Sequence, residues 1–109
     1  MSDEIRTRIE ELVTKSKVVL FMKGSKHIPA CGFSNAVVQI LKKEGVAFET
    51  FNILADPDIR QGLKEFSSWP TYPQLYINGE LVGGCDIVLE MYRNGELRQA
   101  LETAGAVTA

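Results

Sequence analysis

The residues best suited to chemistry are two thiols, Cys31 and Cys85. Cys31 ends the loop Lys23-Gly24-Ser25-Lys26-His27-Ile28-Pro29-Ala30 and opens the stretch Cys31-Gly32-Phe33-Ser34. The apolar run Val18-Val19-Leu20-Phe21-Met22 precedes this loop. Behind it Phe33, Ala36, Val37, Ile40 and Leu41 recur at helical spacing. The sulfur is therefore expected where a strand hands over to a helix. There it faces backbone N–H groups that no earlier turn satisfies, and the positive end of the helix dipole. Both favour thiolate over thiol. A free cysteine titrates near ~8.5, and a helix N-terminus can bring it to about 3.5–7.5.

In a Cys-x-x-Cys motif the second thiol would attack a mixed disulfide formed by the first. Here the fourth position is Ser34, whose hydroxyl forms no disulfide. Resolution inside the motif is impossible, and an external thiol must complete any turnover. Cys85 is distant in sequence and admits three readings. It is a spectator whose backbone matters more than its sulfur, a resolving thiol or ligand, or one half of a redox switch closing on Cys31. The first is favoured. His27 reads as an exposed loop residue, because no second His or carboxylate is spaced to join it around a metal.

The elements that must position these groups are legible along the chain. Ser2 can cap a helix carrying Ile5, Ile9, Leu12 and Val13. Val18 to Met22 has the length and continuity of a central strand buried on both faces. The helix after Cys31 should end near Glu44, with Gly45 as its C-cap. Phe48 to Ile53 reads as a second strand, parallel to the first across the intervening helix. Asp56 and Pro57 open a helix with Ile59, Leu63 and Phe66 on its apolar stripe. Trp69-Pro70-Thr71-Tyr72-Pro73 must be extended, since two prolines remove donors and restrict their predecessors. Gln74 to Ile77 and Glu80 to Val82 flank Asn78-Gly79, a strong hairpin signal, and Gly83-Gly84 closes the hairpin. Asp86 is expected to cap a helix with Ile87, Leu89, Met91 and Tyr92. A last helix uses Leu97, Ala100 and Leu101, and residues from Gly105 onward should fray. A parallel unit followed by an antiparallel hairpin gives a four-stranded mixed sheet with helices on both faces, the thioredoxin-like α/β arrangement.

Size and composition bound the function. With 109 residues, the expectation is a single domain over residues 1–109. Hydrophobic residues make up 45% and charged residues 24%, as in a folded globular chain. A net charge of −2 without a basic cluster argues against nucleic-acid binding. No apolar run approaches the roughly 20 residues that span a bilayer, so no membrane partner is expected. The acidic start Met1-Ser2-Asp3-Glu4 does not read as a signal peptide, and two cysteines suit a reducing compartment, the cytosol.

Three motifs occur in order: Cys31-Gly32-Phe33-Ser34 behind Lys23-Gly24 and Pro29, then Trp69-Pro70-Thr71-Tyr72-Pro73, then Gly83-Gly84-Cys85-Asp86. Together they resemble the monothiol glutaredoxins of the short, single-domain class, over essentially the whole chain. Family members often carry Pro where this chain has Lys26, a departure expected to loosen the loop or add positive charge.

The resemblance implies a glutathione site. It places Lys23 and Arg60 near the glycyl carboxylate, although Arg60 by itself would read as a solvated helix charge. Tyr72 would precede a cis Pro73 and pair its main chain with the cysteinyl part of the tripeptide, like an added strand. The N–H groups of Cys85 and Asp86 would hold the γ-glutamyl carboxylate while the Asp86 side chain takes the ammonium. Trp69 reads equally as packing or as a ligand-facing ring. The resemblance also implies a [2Fe–2S] cluster. One thiolate from Cys31 and one from glutathione, doubled across a homodimer, complete the four thiolate ligands such a cluster uses. Transfer to recipient apoproteins is the expected function, with a BolA-like protein able to replace one subunit. The rival expectation is a glutathione-dependent thiol–disulfide oxidoreductase.

Overall fold

Alternate side chains of one strand organise both halves of the core. In a computed structural model that describes residues 1–107, Val18–Met22 forms β1 with all five side chains buried. Val18, Leu20 and Met22 face one layer, and Val19 and Phe21 face the other. Each such burial contributes about 1.5–3 kcal/mol. Around β1 the chain runs α1 (Asp3–Thr14), α2 (Gly32–Lys43), β2 (Glu49–Asn52), a 3₁₀ turn (Ile53–Ala55) and α3 (Pro57–Ser67). It continues through β3 (Gln74–Ile77), β4 (Glu80–Gly83), α4 (Cys85–Asn94) and α5 (Glu96–Thr103).

The sheet order is β2-β1-β3-β4. Strand β1 is parallel to β2 and antiparallel to β3, and β4 closes antiparallel on β3. The expected thioredoxin-like sheet is therefore present. Helices α2, α4 and α5 cover one face with Val37, Leu41, Val88, Leu97 and Leu101. Helices α1 and α3 cover the other with Ile9, Val13, Ile59 and Leu63. On that second face Phe21 meets Tyr76 edge-on, at 5.4 Å between centroids and 80° between planes, the arrangement aromatic quadrupoles favour.

Several local signals act as the residue types predict. The Ser2 hydroxyl accepts the Ile5 N–H at 3.2 Å, and the Asp56 carboxylate accepts that of Ile59 at 3.2 Å ahead of Pro57. Asn78 and Gly79 take φ of 50° and 80°, as a tight hairpin turn needs. Gly45 turns left-handed at φ 69°, one place beyond the Glu44 cap.

Other expectations are corrected. Strand β2 stops at Asn52, because Ile53 enters the 3₁₀ turn that the Asn52 side chain caps through the Leu54 N–H. Gly84, not Asp86, is the N-cap of α4, and Asp86 lies within its first turn. Phe33 and Ile87 leave their expected apolar stripes and stand exposed, Phe33 at 63%. Gly105 to Val107 are not frayed. Gly105 at φ 74° lets the Ala106 N–H reach the Leu101 carbonyl at 2.9 Å, and Ala106 and Val107 pack on the core. Positions 108 and 109, which the same expectation covered, lie outside the described residues. Lys26 does not loosen its loop: its ammonium donates to the Phe48 carbonyl at 2.5 Å and lies 4.2 Å from the Phe48 ring centroid.

Candidate functional site

Cys31 is the N-cap of α2, in extended geometry, and is half-buried. Its position follows from two fixed ends. The Lys23 N–H donates to the buried Ser34 hydroxyl at 3.1 Å, tying the end of β1 to the first turn of α2. Between them the loop is closed by the Gly24–Pro29 bridge and by the Ala30 N–H on the Lys23 carbonyl at 2.9 Å. Gly24 must be glycine there. It has φ 91°, and a Cβ would strike the backbone of Ile28 and Ala30.

The sulfur closes no full capping hydrogen bond, yet its surroundings favour the anion. The Ser34 N–H contributes most to holding the Cys31 thiol below its ordinary range. Partial burial opposes it, and the Phe33 N–H, the Lys23 ammonium and the Ser34 hydroxyl add to it. Cys85 goes the other way: burial first, then the charges of Asp86 and Cys31, push its thiol up. Both cysteines are free. The two thiols are therefore inequivalent, with thiolate favoured at Cys31 and disfavoured at Cys85.

All six predicted site residues border one cleft of about 530 Å³: Lys23, Cys31, Arg60, Tyr72, Cys85 and Asp86. Lys23 comes from the loop, Arg60 from α3, Tyr72 from the segment before β3, and Cys85 and Asp86 from the first turn of α4. The Tyr72–Pro73 bond is cis, as expected. The Tyr72 ring itself turns inward; its hydroxyl donates to the Arg60 carbonyl at 2.6 Å, and burial raises its pKa. The exposed Phe33 and Ile87 also border the cleft, as does Lys64. Lys23, Arg60 and Lys64 stand against the single carboxylate of Asp86 there, so the cleft favours anions.

Trp69 lines the cleft with its indole N–H buried and without an acceptor among the described residues. A Cβ on Gly84 would lie 3.3 Å from both that nitrogen and the Pro73 carbonyl oxygen. Glycine there lets the start of α4 approach the Trp69 and Pro73 segment. His27 is exposed, and no group of three or more metal-ligating side chains occurs among the described residues.

Sequence reasoning missed two amides that hold the loops beside the cleft. Gln74 is fully buried. Its Nε2 donates to the carbonyls of Trp69 at 3.0 Å and Thr71 at 3.3 Å, and its Oε1 accepts the Tyr76 hydroxyl at 3.0 Å. Asn52 Oδ1 accepts the N–H groups of Gly24 and Leu54, each at 3.0 Å. A polar residue inside an otherwise apolar strand was the available signal for Gln74. For Asn52 there was none, since its partner Gly24 is remote in sequence.

A lone activated thiol at a strand-to-helix junction, opposite a cis-proline, on this sheet defines a thioredoxin-like thiol protein. The glutaredoxin family model matches residues 18–82. A monothiol glutaredoxin of the ycf64-like kind from Synechocystis is 60% identical over 104 residues, covering 95% of this chain and 97% of that one. Reduced apo GrxS14 from poplar superposes with a TM-score of 0.83 at 56% identity, over 94% of each chain. Buckwheat glutaredoxin in its glutathione complex superposes with a TM-score of 0.82 at 26% identity, over 99% of this chain and 100% of that one. The chain belongs to the glutaredoxin family, and within it is a monothiol glutaredoxin.

Proposed function

We propose that this protein carries a [2Fe–2S] cluster as cargo, held between two copies by Cys31 and glutathione from each, and delivers it to apoproteins. The observation that carries this reading is the pairing of one activated sulfur with a buried Ser34 whose hydroxyl is committed to the Lys23 N–H. The chain presents one thiolate where a cluster of this type uses four ligands, so the remaining donors come from outside. Glutathione suits the cleft. Lys23 and Arg60 supply cations for its glycyl carboxylate, and Asp86 supplies an anion for its ammonium. The first turn of α4 presents unpaired N–H groups for the second carboxylate. Tyr72, ahead of the cis-proline, offers its main chain to the cysteinyl residue. Lysine and arginine with a carboxylate form the short charge-assisted bonds that recognition of a small peptide needs. A reducing cytosol keeps both thiols in this form. A BolA-like protein in place of one copy is the heteromeric version of the same assembly.

Anaerobic reconstitution with iron, sulfide and glutathione tests the reading. Wild type and Cys85→Ser are expected to give a coloured dimer, and Cys31→Ser a colourless monomer. Colour that survives Cys31→Ser, or that forms equally well without glutathione, overturns it.

The depressed Cys31 thiol favours a second activity at the same site. Its thiolate attacks the glutathione sulfur of a mixed disulfide and releases the substrate thiol. A second glutathione thiolate then attacks the new Cys31 disulfide, leaving as glutathione disulfide and restoring Cys31. Steady turnover on a glutathionylated peptide, lost in Cys31→Ser, identifies this route.

A further inference from the structure

The β1–β2 ladder ends at the pair Met22 and Asn52. Beyond it the two chains part. One turns at Gly24 into the thiol loop, and the other enters the 3₁₀ turn ahead of α3. The Asn52 side chain spans the gap between them. Its single Oδ1 takes one N–H from each departing chain, Gly24 at 3.0 Å and Leu54 at 3.0 Å, which fills both lone pairs.

One of those N–H groups adjoins a cation of the cleft, and the other belongs to a turn that leads to the helix carrying a second. Gly24 is the neighbour of Lys23. The Leu54 turn runs into Asp56, whose carbonyl takes the Arg60 N–H at 2.9 Å. The far side of Arg60 is fixed as well, since its carbonyl accepts the Tyr72 hydroxyl at 2.6 Å. A bonded path from the Lys23 backbone to the Arg60 helix beyond the ladder therefore crosses the Asn52 amide oxygen. Gly24 is buried against the backbone of Ile28 and Ala30, so the loop has no slack at this point.

We propose that Asn52 is a positioning residue that sets the separation of the Lys23 ammonium and the Arg60 guanidinium, and with it the cleft's preference for a peptide ending in a carboxylate. The inference rests on the glutathione reading above and names how that ligand's glycyl end is selected. Two cations share one carboxylate only when both reach it at charge-assisted hydrogen-bond distance, and a supporting shell must hold them to about 0.5 Å. Loss of one such bond corresponds to about a tenfold fall in affinity or more. The Cys31 thiolate is favoured chiefly by the Ser34 N–H, with Lys23 a smaller contributor.

The test titrates the reduced full-length protein with glutathione and with glutathione amide, in which the glycyl carboxylate is a neutral amide, following backbone NMR shifts. Wild type is expected to prefer glutathione by about tenfold or more. In Asn52→Leu that preference is expected to fall to about threefold or less, with amide affinity unchanged within about twofold. An undiminished preference overturns the proposal. So does an equal loss of affinity for both ligands, which marks a merely structural residue. Should Asn52→Leu not fold, Asn52→Ser is read by the same outcomes, because its shorter hydroxyl cannot bridge both N–H groups. Wild type that binds neither ligand sinks the glutathione reading itself, an outcome distinct from a wild-type preference that Asn52→Leu leaves intact.

Discussion

The Ser34 hydroxyl accepts the Lys23 N–H at 3.1 Å, so the fourth residue of the thiol motif is bonded to the end of β1. Ser34 is fully buried, and its oxygen is the acceptor for a backbone donor that the sheet leaves behind. Ser34→Ala leaves that N–H unpaired. A loss of about 1–3 kcal/mol is expected from urea denaturation, with an upward shift in the pH profile of Cys31 alkylation because the hydroxyl also favours the thiolate. Unchanged stability would show that water or another group replaces the serine.

The reactivity of Cys31 should plateau at a pH below the ordinary thiol range, while Cys85 reacts only at higher pH. The linkage sign follows from the lowered folded-state pKa. Ionised Cys31 adds stability fully above its unfolded pKa of about 8.5, and that gain is lost as pH falls through the lower folded value. The stability advantage of wild type over Cys31→Ser is therefore expected to grow with rising pH across that window, as read by urea midpoints. Lys23→Met should raise the alkylation pKa, by less than the α2 N–H groups lower it.

At the base of α3, Asp56 caps the helix and takes an ion pair from Arg8 at 2.8 Å. Asp56→Ala removes both and is expected to destabilise by about 1–2 kcal/mol. The Arg8 hydrogen bond first, then the Ile59 N–H, lower the Asp56 pKa. The charge contribution is thus complete above the unfolded value of about 3.9 and disappears as pH falls through the folded one. Asp56→Asn keeps a capping oxygen without the charge. Its deficit at neutral pH should close on acidification in equilibrium denaturation.

Gln74 separates a polarity effect from a packing effect. In Gln74→Glu a buried carboxylate faces the Trp69 and Thr71 carbonyls that the amide now serves. A loss of about 3 kcal/mol or more at neutral pH is expected. Burial and those carbonyls raise the carboxyl pKa, so the variant is most nearly wild-type below its unfolded value of about 4.3 and weakens as pH rises through the folded one. A deficit independent of pH would contradict this account.

Lys26 gives a further check, on the loop itself. Lys26→Met keeps much of the apolar stem but removes the ammonium from the Phe48 carbonyl and ring. A loss of about 1–2 kcal/mol is expected, with faster proteolysis between residues 24 and 30.

Much of this fold was readable because its signals are local. A continuous apolar run set β1, Asp56-Pro57 started α3, and Asn78-Gly79 turned the hairpin, each through the preferences of neighbouring residues. Five of the six candidate site residues stood in three motifs, Arg60 came only from the family resemblance, and one cleft gathers all six. What was not readable depends on partners far along the chain. Helical spacing put Phe33 and Ile87 on apolar stripes, but the cleft opens on that side and leaves them exposed. Asp86 has the chemistry of a cap, yet the chain is already helical at Cys85 because Gly84 takes the extended turn. Gly105 looked like a loose end until Lys17 reached its carbonyl at 3.0 Å from the other end of the chain.

The bond from the Tyr72 hydroxyl to the Arg60 carbonyl joins two segments that both border the cleft. That bond braces the two segments against each other without any ligand between them. Under the proposed glutathione function, such bracing means that a ligand is gauged by length and charge spacing before it binds, as a die passes one thread.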